Sequence, residues 1–279
     1  MKPHPFICKD SICVVTGAAS GIGRALCLQL ASLDAKKVVA VDINFEAVQQ
    51  LVQKHLPPGI GLAMKANCAI ESDMRRVILV VENECGNIDA FFTNAGILSV
   101  GSPTDTPNDE WETLWKVNVM QTVYVAKHLL PLYEKRGKGA LIVTASAAGL
   151  LTLPGASSYS VTKSAAVALA EWISITYGFK GISVSCLCPQ AVKTPMIGDT
   201  DGGPAGIDGV MEADEVARIT LDEVQKGTFI ISPHERVLKY VQQKANNYEK
   251  WLKKMRILNT ITEERYTISP PRLPSSSRL

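Results

Sequence analysis

The sequence predicts an α/β fold: a doubly wound parallel sheet of about seven strands with helices on both faces. Three observations lead there. Short apolar runs alternate with segments of helical period along the 279-residue chain. Those runs are apolar at successive positions, the pattern of strands covered on both faces. A glycine-rich turn joins the first run to the first helical segment.

The elements follow in order. "ICVVT" (12–16) is the first strand and 22–34 the first helix. "KVVAVD" (37–42) is the second strand, followed by a helix over 45–55. "IGLAMKA" is a weaker third strand, and 72–85 is helical. "IDAFFTN" (88–94) is the fourth strand, with one long helix over 108–135. "GALIVTAS" (139–146) is the fifth strand, 157–178 a helix and "ISVSCLCP" (182–189) the sixth strand. Crossovers between parallel strands should be right-handed. Beyond Pro189, the Gly- and Asp-rich stretch 198–206 reads as irregular, part of a flexible substrate loop over 198–212. A helix near 213–226 and a seventh strand in "GTFIISP" come next. A single helix is expected over 235–256, its apolar face, including Val237 and Trp251, packed on the domain or on a partner, with a basic membrane-surface helix as the alternative. Residues 1–256 form one domain in this reading and 257–279 a flexible tail, ending in Pro and Ser.

Bulk properties exclude several classes. Hydrophobic residues make up 46% and charged residues 20%, with a net charge of +2, so no footprint for nucleic acid is present. No apolar stretch of about 18 residues exists to span a membrane. "MKPHPFICKD" has no apolar run, so no secretory leader is expected. Seven cysteines in no disulfide-like or zinc-like spacing predict core thiols in a reducing compartment and no metal site. Cys186 and Cys188 should share a strand face.

"TGAASGIG" (16–23) follows a strand and opens a helix, the context of a Rossmann-type dinucleotide turn. Gly17 permits the tight turn, Gly21 lets the backbone approach a pyrophosphate, and Gly23 permits close helix packing. Ser20 and Ile22 complete the phosphate contacts at the helix N-terminus. Asp42 follows about 20 residues on, where a carboxylate can accept bonds from a ribose hydroxyl and repel a 2′-phosphate. Its neighbours are Ile43 and Asn44, not arginine, so NAD is favoured over NADP. A helix cap is the alternative role for Asp42.

Tyr159 and Lys163 stand four apart, hence on one helix face. A free tyrosine titrates near ~10; an adjacent ammonium lowers that value and makes an acid/base for a hydroxyl proton. The spacing alone is weakly specific. Combined with TGAASGIG, "TNAG" at 93–96, Asn118 in "KVNVMQ", Ser146 in "TASAAG", "YSVTK" at 159–163 and "PQAVKT" at 189–194, it resembles the short-chain dehydrogenase/reductase family, in its shorter branch, over residues 8–230.

That resemblance implies roles. Tyr159 would be the acid/base, Lys163 its activator and a ribose ligand, and Ser146 a donor to the substrate oxygen. Asn118 would kink its helix and hold a water that links Lys163 to solvent. Asn94, Ala95 and Gly96 would lie beside the adenosine ribose, and Val192 and Thr194 would hold the carboxamide. Singly, Ser146, Asn118 and Thr194 also read as a strand-end residue, a polar kink and a helix cap. Two departures stand out. Gln190 replaces the family's usual glycine and would either tolerate the same backbone or point an amide toward the pocket. Asn67 and Cys68 stand where an Asp and an apolar residue contact adenine. The family's frequent C-terminal finish is missing, which favours a homodimer over a tetramer.

The expected pocket wall is Leu98, Leu150, Leu151, Leu153, Met196 and Ile197, without an arginine, and points to a small lipophilic secondary alcohol or ketone of lipid metabolism. A carbonyl reductase using NADP and a non-catalytic nucleotide sensor or scaffold are the alternatives. Ser277, Arg278 and Leu279 resemble the tripeptide read by the peroxisomal import receptor, with cytoplasm as the alternative address.

Overall fold

Seven strands pair in parallel: β1 (Ile12–Thr16), β2 (Lys37–Asp42), β3 (Gly61–Lys65), β4 (Ala90–Thr93), β5 (Gly139–Thr144), β6 (Ile182–Leu187) and the short β9 (Ile230–Ile231). Their order is β3-β2-β1-β4-β5-β6-β9. The chain winds outward from β1 to β3, then returns to the middle and winds the other way from β4. The switch point therefore lies between β1 and β4, where the carboxyl ends of the strands leave a crevice for a ligand. The structure, a computed structural model, describes residues 5–265, and the tripeptide Ser277, Arg278 and Leu279 lies outside them.

All five residues of β1 are buried, because helices cover both faces. Cys13 and Val15 pack with Leu26 and Leu30 of α1 (Gly21–Ser32) and with Val216, Leu221 and Val224 of α8 (Ala213–Lys226). Ile12 and Val14 pack on the opposite face. There they meet Met74 and Val77 of α3 (Glu71–Glu84), Val125 and Leu129 of α5 (Gln121–Arg136), and Ala166 and Ala170 of α7 (Ser157–Tyr177). The period-two alternation of a strand thus feeds two cores, each burying apolar side chains for roughly 1.5–3 kcal/mol apiece. α2 (Phe45–His55) packs outside β2 and β3.

Four differences from the sequence reading bear on the site. The expected helix over 108–135 is α4 (Asn108–Trp115), a π-helical turn over Lys116–Met120, and α5. A short helix, α6 (Ala147–Leu151), follows β5 unforeseen. The stretch read as irregular contains a 3₁₀ turn at Gly203–Gly206. It is bounded by a parallel pair, β7 (Val192–Lys193) with β8 (Met211–Glu212). Asp208 also ties it down by accepting from Arg236 Nη1 and from the Tyr240 hydroxyl, both at 3.1 Å.

The fourth difference is at the C-terminal end. The helix expected over 235–256 is two helices, α9 (Arg236–Asn246) and α10 (Tyr248–Arg265). Asn247 breaks it with extended backbone (φ −155°, ψ 91°), and its Oδ1 accepts from Lys250 N at 2.9 Å, starting α10. α10 runs past 256, where a flexible tail was expected, because Met255 and the buried Thr262 continue its inner face. Val237 and Trp251 pack with Ala147 and Leu151 of α6.

Trp251 is therefore the anchor of the hairpin. Trp251→Ala should destabilise this corner by about 3 kcal/mol. Amide hydrogen exchange should quicken in α10 while the amides of β1 and β4 stay protected; equal quickening in both would mean that hairpin and sheet unfold as one unit.

Candidate active site

Gly17 and Gly21 have left-handed backbone, φ 67° and 50°. A methyl on Gly17 would come within 2.8 Å of the Ala95 Cα, and one on Gly21 within 2.7 Å of the Thr194 Cγ2. At Gly23 it would overlap the Gly17 carbonyl. The turn is thus pressed onto the chain after β4 and onto the segment after β7. Ser20 makes no side-chain cap to α1, so the N–H groups of Gly21, Ile22 and Gly23 are left for an anion. Asp42 ends β2, and its Oδ2 accepts from Ala19 N at 3.0 Å and its Oδ1 from Asn44 N at 2.9 Å. The cap of α2 is Asn44, which accepts from Ala47 N, so the carboxylate of Asp42 is held at the cavity instead. Asn67 Oδ1 accepts from Ala69 N at 3.0 Å, and Asn67 and Cys68 line the same end.

Asn94 joins three strand ends. Its Nδ2 donates to Thr16 O at 3.0 Å, its Oδ1 accepts from Thr144 Oγ1 at 3.1 Å, and its N donates to Thr16 Oγ1 at 2.9 Å. The buried Thr16 hydroxyl also accepts from Ala95 N at 3.1 Å and lies 3.1 Å from Gln121 Oε1. Gln121 in turn donates to Ala95 O and Val117 O. Thr16 and Gln121 escape the sequence reading; the signal for Gln121 is its place three residues after Asn118, on the same helix face.

Asn118 lies in the π turn. It clamps Ile97 from both sides, accepting from Ile97 N and donating to Ile97 O, each at 3.0 Å, and donates to Thr162 Oγ1 at 3.1 Å. The widened turn allows this, since π turns displace one residue from the helical ladder. A methyl on Gly96 would lie 3.2 Å from Lys163 Nζ and 3.4 Å from Asn118 Oδ1. Lys163, Asn118 and the chain at 94–97 therefore meet at one point.

Tyr159 and Lys163 are both buried on α7. Lys163 Nζ donates to Thr144 O at 3.0 Å and lies 5.7 Å from the centre of the Tyr159 ring. Burial lowers the Lys163 pKa to about 8. The expected lowering of Tyr159 by Lys163 is not what the structure has: burial raises the phenol, and the hydrogen-bonded Ser146 hydroxyl pulls it down. The reason is geometric, since the ammonium points at the Thr144 carbonyl rather than the phenol oxygen. Ser146 also caps α6 through Ala148 N at 3.1 Å.

Most of these groups line one cavity of about 800 Å³; Gly23, Asn118 and Gln121 do not border it. Asp42, Asn67 and Cys68 stand at the β2–β3 side, Ser146, Tyr159 and Lys163 near its middle, and Val192 and Thr194 on the β7 segment. Leu98, Leu151, Leu153, Met196 and Ile197 line it as expected. Leu150 does not; it packs against the core, and its carbonyl takes the Lys244 ammonium. Gln190 is on the wall, with its N donating to His234 Nδ1 at 3.1 Å. Tyr240, Gln243, Trp251, Lys254, Met255 and Leu258 of the C-terminal hairpin close the far side, a contribution hidden from sequence because it depends on how α9 and α10 dock.

Thr16→Val keeps the shape but strips two buried N–H groups of their acceptor. It should destabilise the protein by about 2–4 kcal/mol in urea unfolding, several times the effect of an exposed Thr→Val change such as Thr200→Val. Equal midpoints for the two variants would show that the hub carries no load.

The sequence pattern of the short chain dehydrogenase family matches residues 11–203. Cyclohexanol dehydrogenase of Acinetobacter sp. is 33% identical over 68% of this chain and 76% of its own. Epidermal retinol dehydrogenase 2 of Mus musculus is 34% identical over 70% of this chain and 64% of its own. In fold, the chain is similar to a short-chain dehydrogenase/reductase of Burkholderia phymatum crystallised with NAD, with a TM-score of 0.80 at 24% identity over 88% of this chain and 96% of that one. The chain belongs to the short-chain dehydrogenase/reductase family and is an NAD(P)-dependent oxidoreductase acting on CH–OH groups.

Proposed function

We propose that the protein interconverts a lipophilic secondary alcohol and its ketone with NAD, using Tyr159 as the acid/base. One observation carries this reading: a single cavity runs from the Asp42 carboxylate, past Ser146 and Tyr159, to an apolar wall. The glycine turn has the close-approach geometry a pyrophosphate needs, and no arginine among the described residues lines the cavity to receive a 2′-phosphate, which supports NAD over NADP. The names of two relatives, a cyclohexanol and a retinol dehydrogenase, are consistent with an apolar alcohol.

When bound, the oxidised nicotinamide accepts the hydride, and its positive charge favours the phenolate. The residues supply the rest. Ser146 and Tyr159 hydrogen-bond the substrate oxygen, and in oxidation Tyr159 takes its proton. Lys163, with a pKa brought down to about 8, passes that proton toward solvent through a water on the Asn118 side. Asn118 sets the position of Ile97 and hence of the chain bordering the relay. Ser20 and Ile22 with the glycines take the phosphates; Asp42, Asn67, Cys68, Asn94, Ala95 and Gly96 take the adenosine half; Val192 and Thr194 take the carboxamide. Gln190 bounds the substrate. Exposed Trp172, Ile175 and Phe179, at the end of α7 and just beyond it, form an apolar patch that suits a homodimer. Ser277, Arg278 and Leu279 alone support a peroxisomal address; a fluorescent fusion ending in them should be imported and one lacking them should not.

Tyr159→Phe should lower kcat by about 10²–10⁴-fold while NAD still binds; undiminished turnover would sink the mechanism. The sign of the pH dependence follows from the phenol. Oxidation needs the deprotonated form, and burial raises its pKa, so kcat/KM for alcohol should climb with alkaline pH. Reduction needs the protonated form and should fall over the same range. Tighter binding of NADP than NAD by the unaltered protein would refute the cofactor assignment, and Asp42→Ala should narrow the preference for NAD.

A further inference from the structure

We propose that Lys254, on α10, binds a carboxylate at the end of the substrate remote from the reacting carbinol, so that the substrate is a long-chain hydroxy acid or its keto counterpart. The inference rests on the reading of the cavity as an alcohol site. Only three charged residues line that cavity among those described: Asp42, Lys163 and Lys254. Asp42 stands at the β2–β3 side of the sheet, and Lys163 is buried beside Tyr159 with its ammonium on the Thr144 carbonyl. Lys254 belongs to the hairpin that follows β9 at the other edge and packs on α6 through Trp251. The three charges thus come from the β2–β3 side, from α7 and from the C-terminal hairpin, and apolar side chains line the same cavity.

The surroundings of Lys254 fit this role. Its Nζ donates to Gln243 Oε1 at 3.1 Å and has two further N–H groups to give. No carboxylate of the described residues forms an ion pair with it, whereas Lys127, Lys180, Lys193 and Lys226 each have a glutamate. The side chain is exposed, as a group at the cavity mouth would be, while Met255 and Leu258 beside it line the interior. From Arg236 to Arg256 the hairpin carries seven lysines and arginines against one acid, Glu249, a field that draws anions to this mouth. A single ammonium with one amide neighbour balances a single negative charge, and Leu153 and Met196, which line the same cavity, suit an aliphatic chain. A substrate meeting both demands carries a secondary hydroxyl within an alkyl chain and a carboxylate at its end.

The test compares straight-chain fatty acids of graded length with their methyl esters, bound to the full chain in the presence of NAD and followed by tryptophan fluorescence, to which Trp251 contributes. The unaltered protein should bind an acid of suitable length about tenfold more tightly than its ester. Added salt should reduce the preference. Lys254→Met, which keeps the length and the apolar stem, should bring the ratio near one, and Lys254→Arg should retain it. Equal affinities in the unaltered protein at every length, or a preference that survives Lys254→Met, would overturn the assignment. Turnover of hydroxy acids and their esters separates it from the parent reading. Discrimination in binding with no alcohol oxidised would leave Lys254 in its role and remove the proposed reaction. Oxidation of acid and ester with equal kcat/KM would keep the reaction and remove Lys254.

Discussion

A buried hydroxyl, that of Thr16, holds the catalytic half of the molecule to the nucleotide half. It accepts the N–H groups of Asn94 and Ala95 at the point where β1 ends and the glycine turn begins. The Asn94 side chain then bridges from the Thr16 carbonyl to Thr144, whose carbonyl receives the Lys163 ammonium. Five bonds thus link the turn after β1 to the lysine on α7. In a parallel sheet the carboxyl ends of neighbouring strands would otherwise be free to splay, because nothing pairs beyond the last ladder bond. Because the Thr16 hydroxyl and the Lys163 ammonium are buried and Asn94 is half-buried, a shift of one strand end would strand donors in a low-dielectric interior.

That rigidity sets the electrostatics. Tyr159 and Lys163 are buried, and burial works against the charged form of each, raising the phenol and bringing the ammonium down to about 8. Raising the phenol keeps Tyr159 protonated, while a value of about 8 leaves Lys163 charged at neutral pH and able to release its proton in mildly alkaline solution. The Ser146 hydroxyl is the local counterweight for the phenol, and it is fixed by capping α6.

The C-terminal hairpin is the part of the site with the least connection to that network. It reaches the cavity through packing of Trp251 and Val237 on α6 and through the hold of Arg236 and Tyr240 on Asp208. Packing contacts of this kind tolerate substitution better than a buried hydrogen-bond network does. The proposed reaction and the proposed specificity thus fall to separate layers: the strand ends, and a helix pair laid over them.

Much of this is legible in the amino-acid order alone. The parallel α/β layout follows from apolar runs such as "ICVVT" and "KVVAVD", because a strand covered twice has no polar face to show. The glycine turn, Asp42, Asn118, Ser146, Tyr159 and Lys163 are legible because their chemistry demands particular residue types at short, fixed spacings. What only the tertiary structure decides depends on contacts between distant segments. Local spacing says nothing of Asn118 clamping Ile97 across 21 residues or of Thr16 meeting Gln121 across 105. The break at Asn247, the continuation of α10 past 256 and the arrival of Lys254 at the cavity belong to the same group. Periodicity marks the apolar face of a helix; the surface that face meets is chosen by the shape of the rest of the fold, and here that choice completes the pocket.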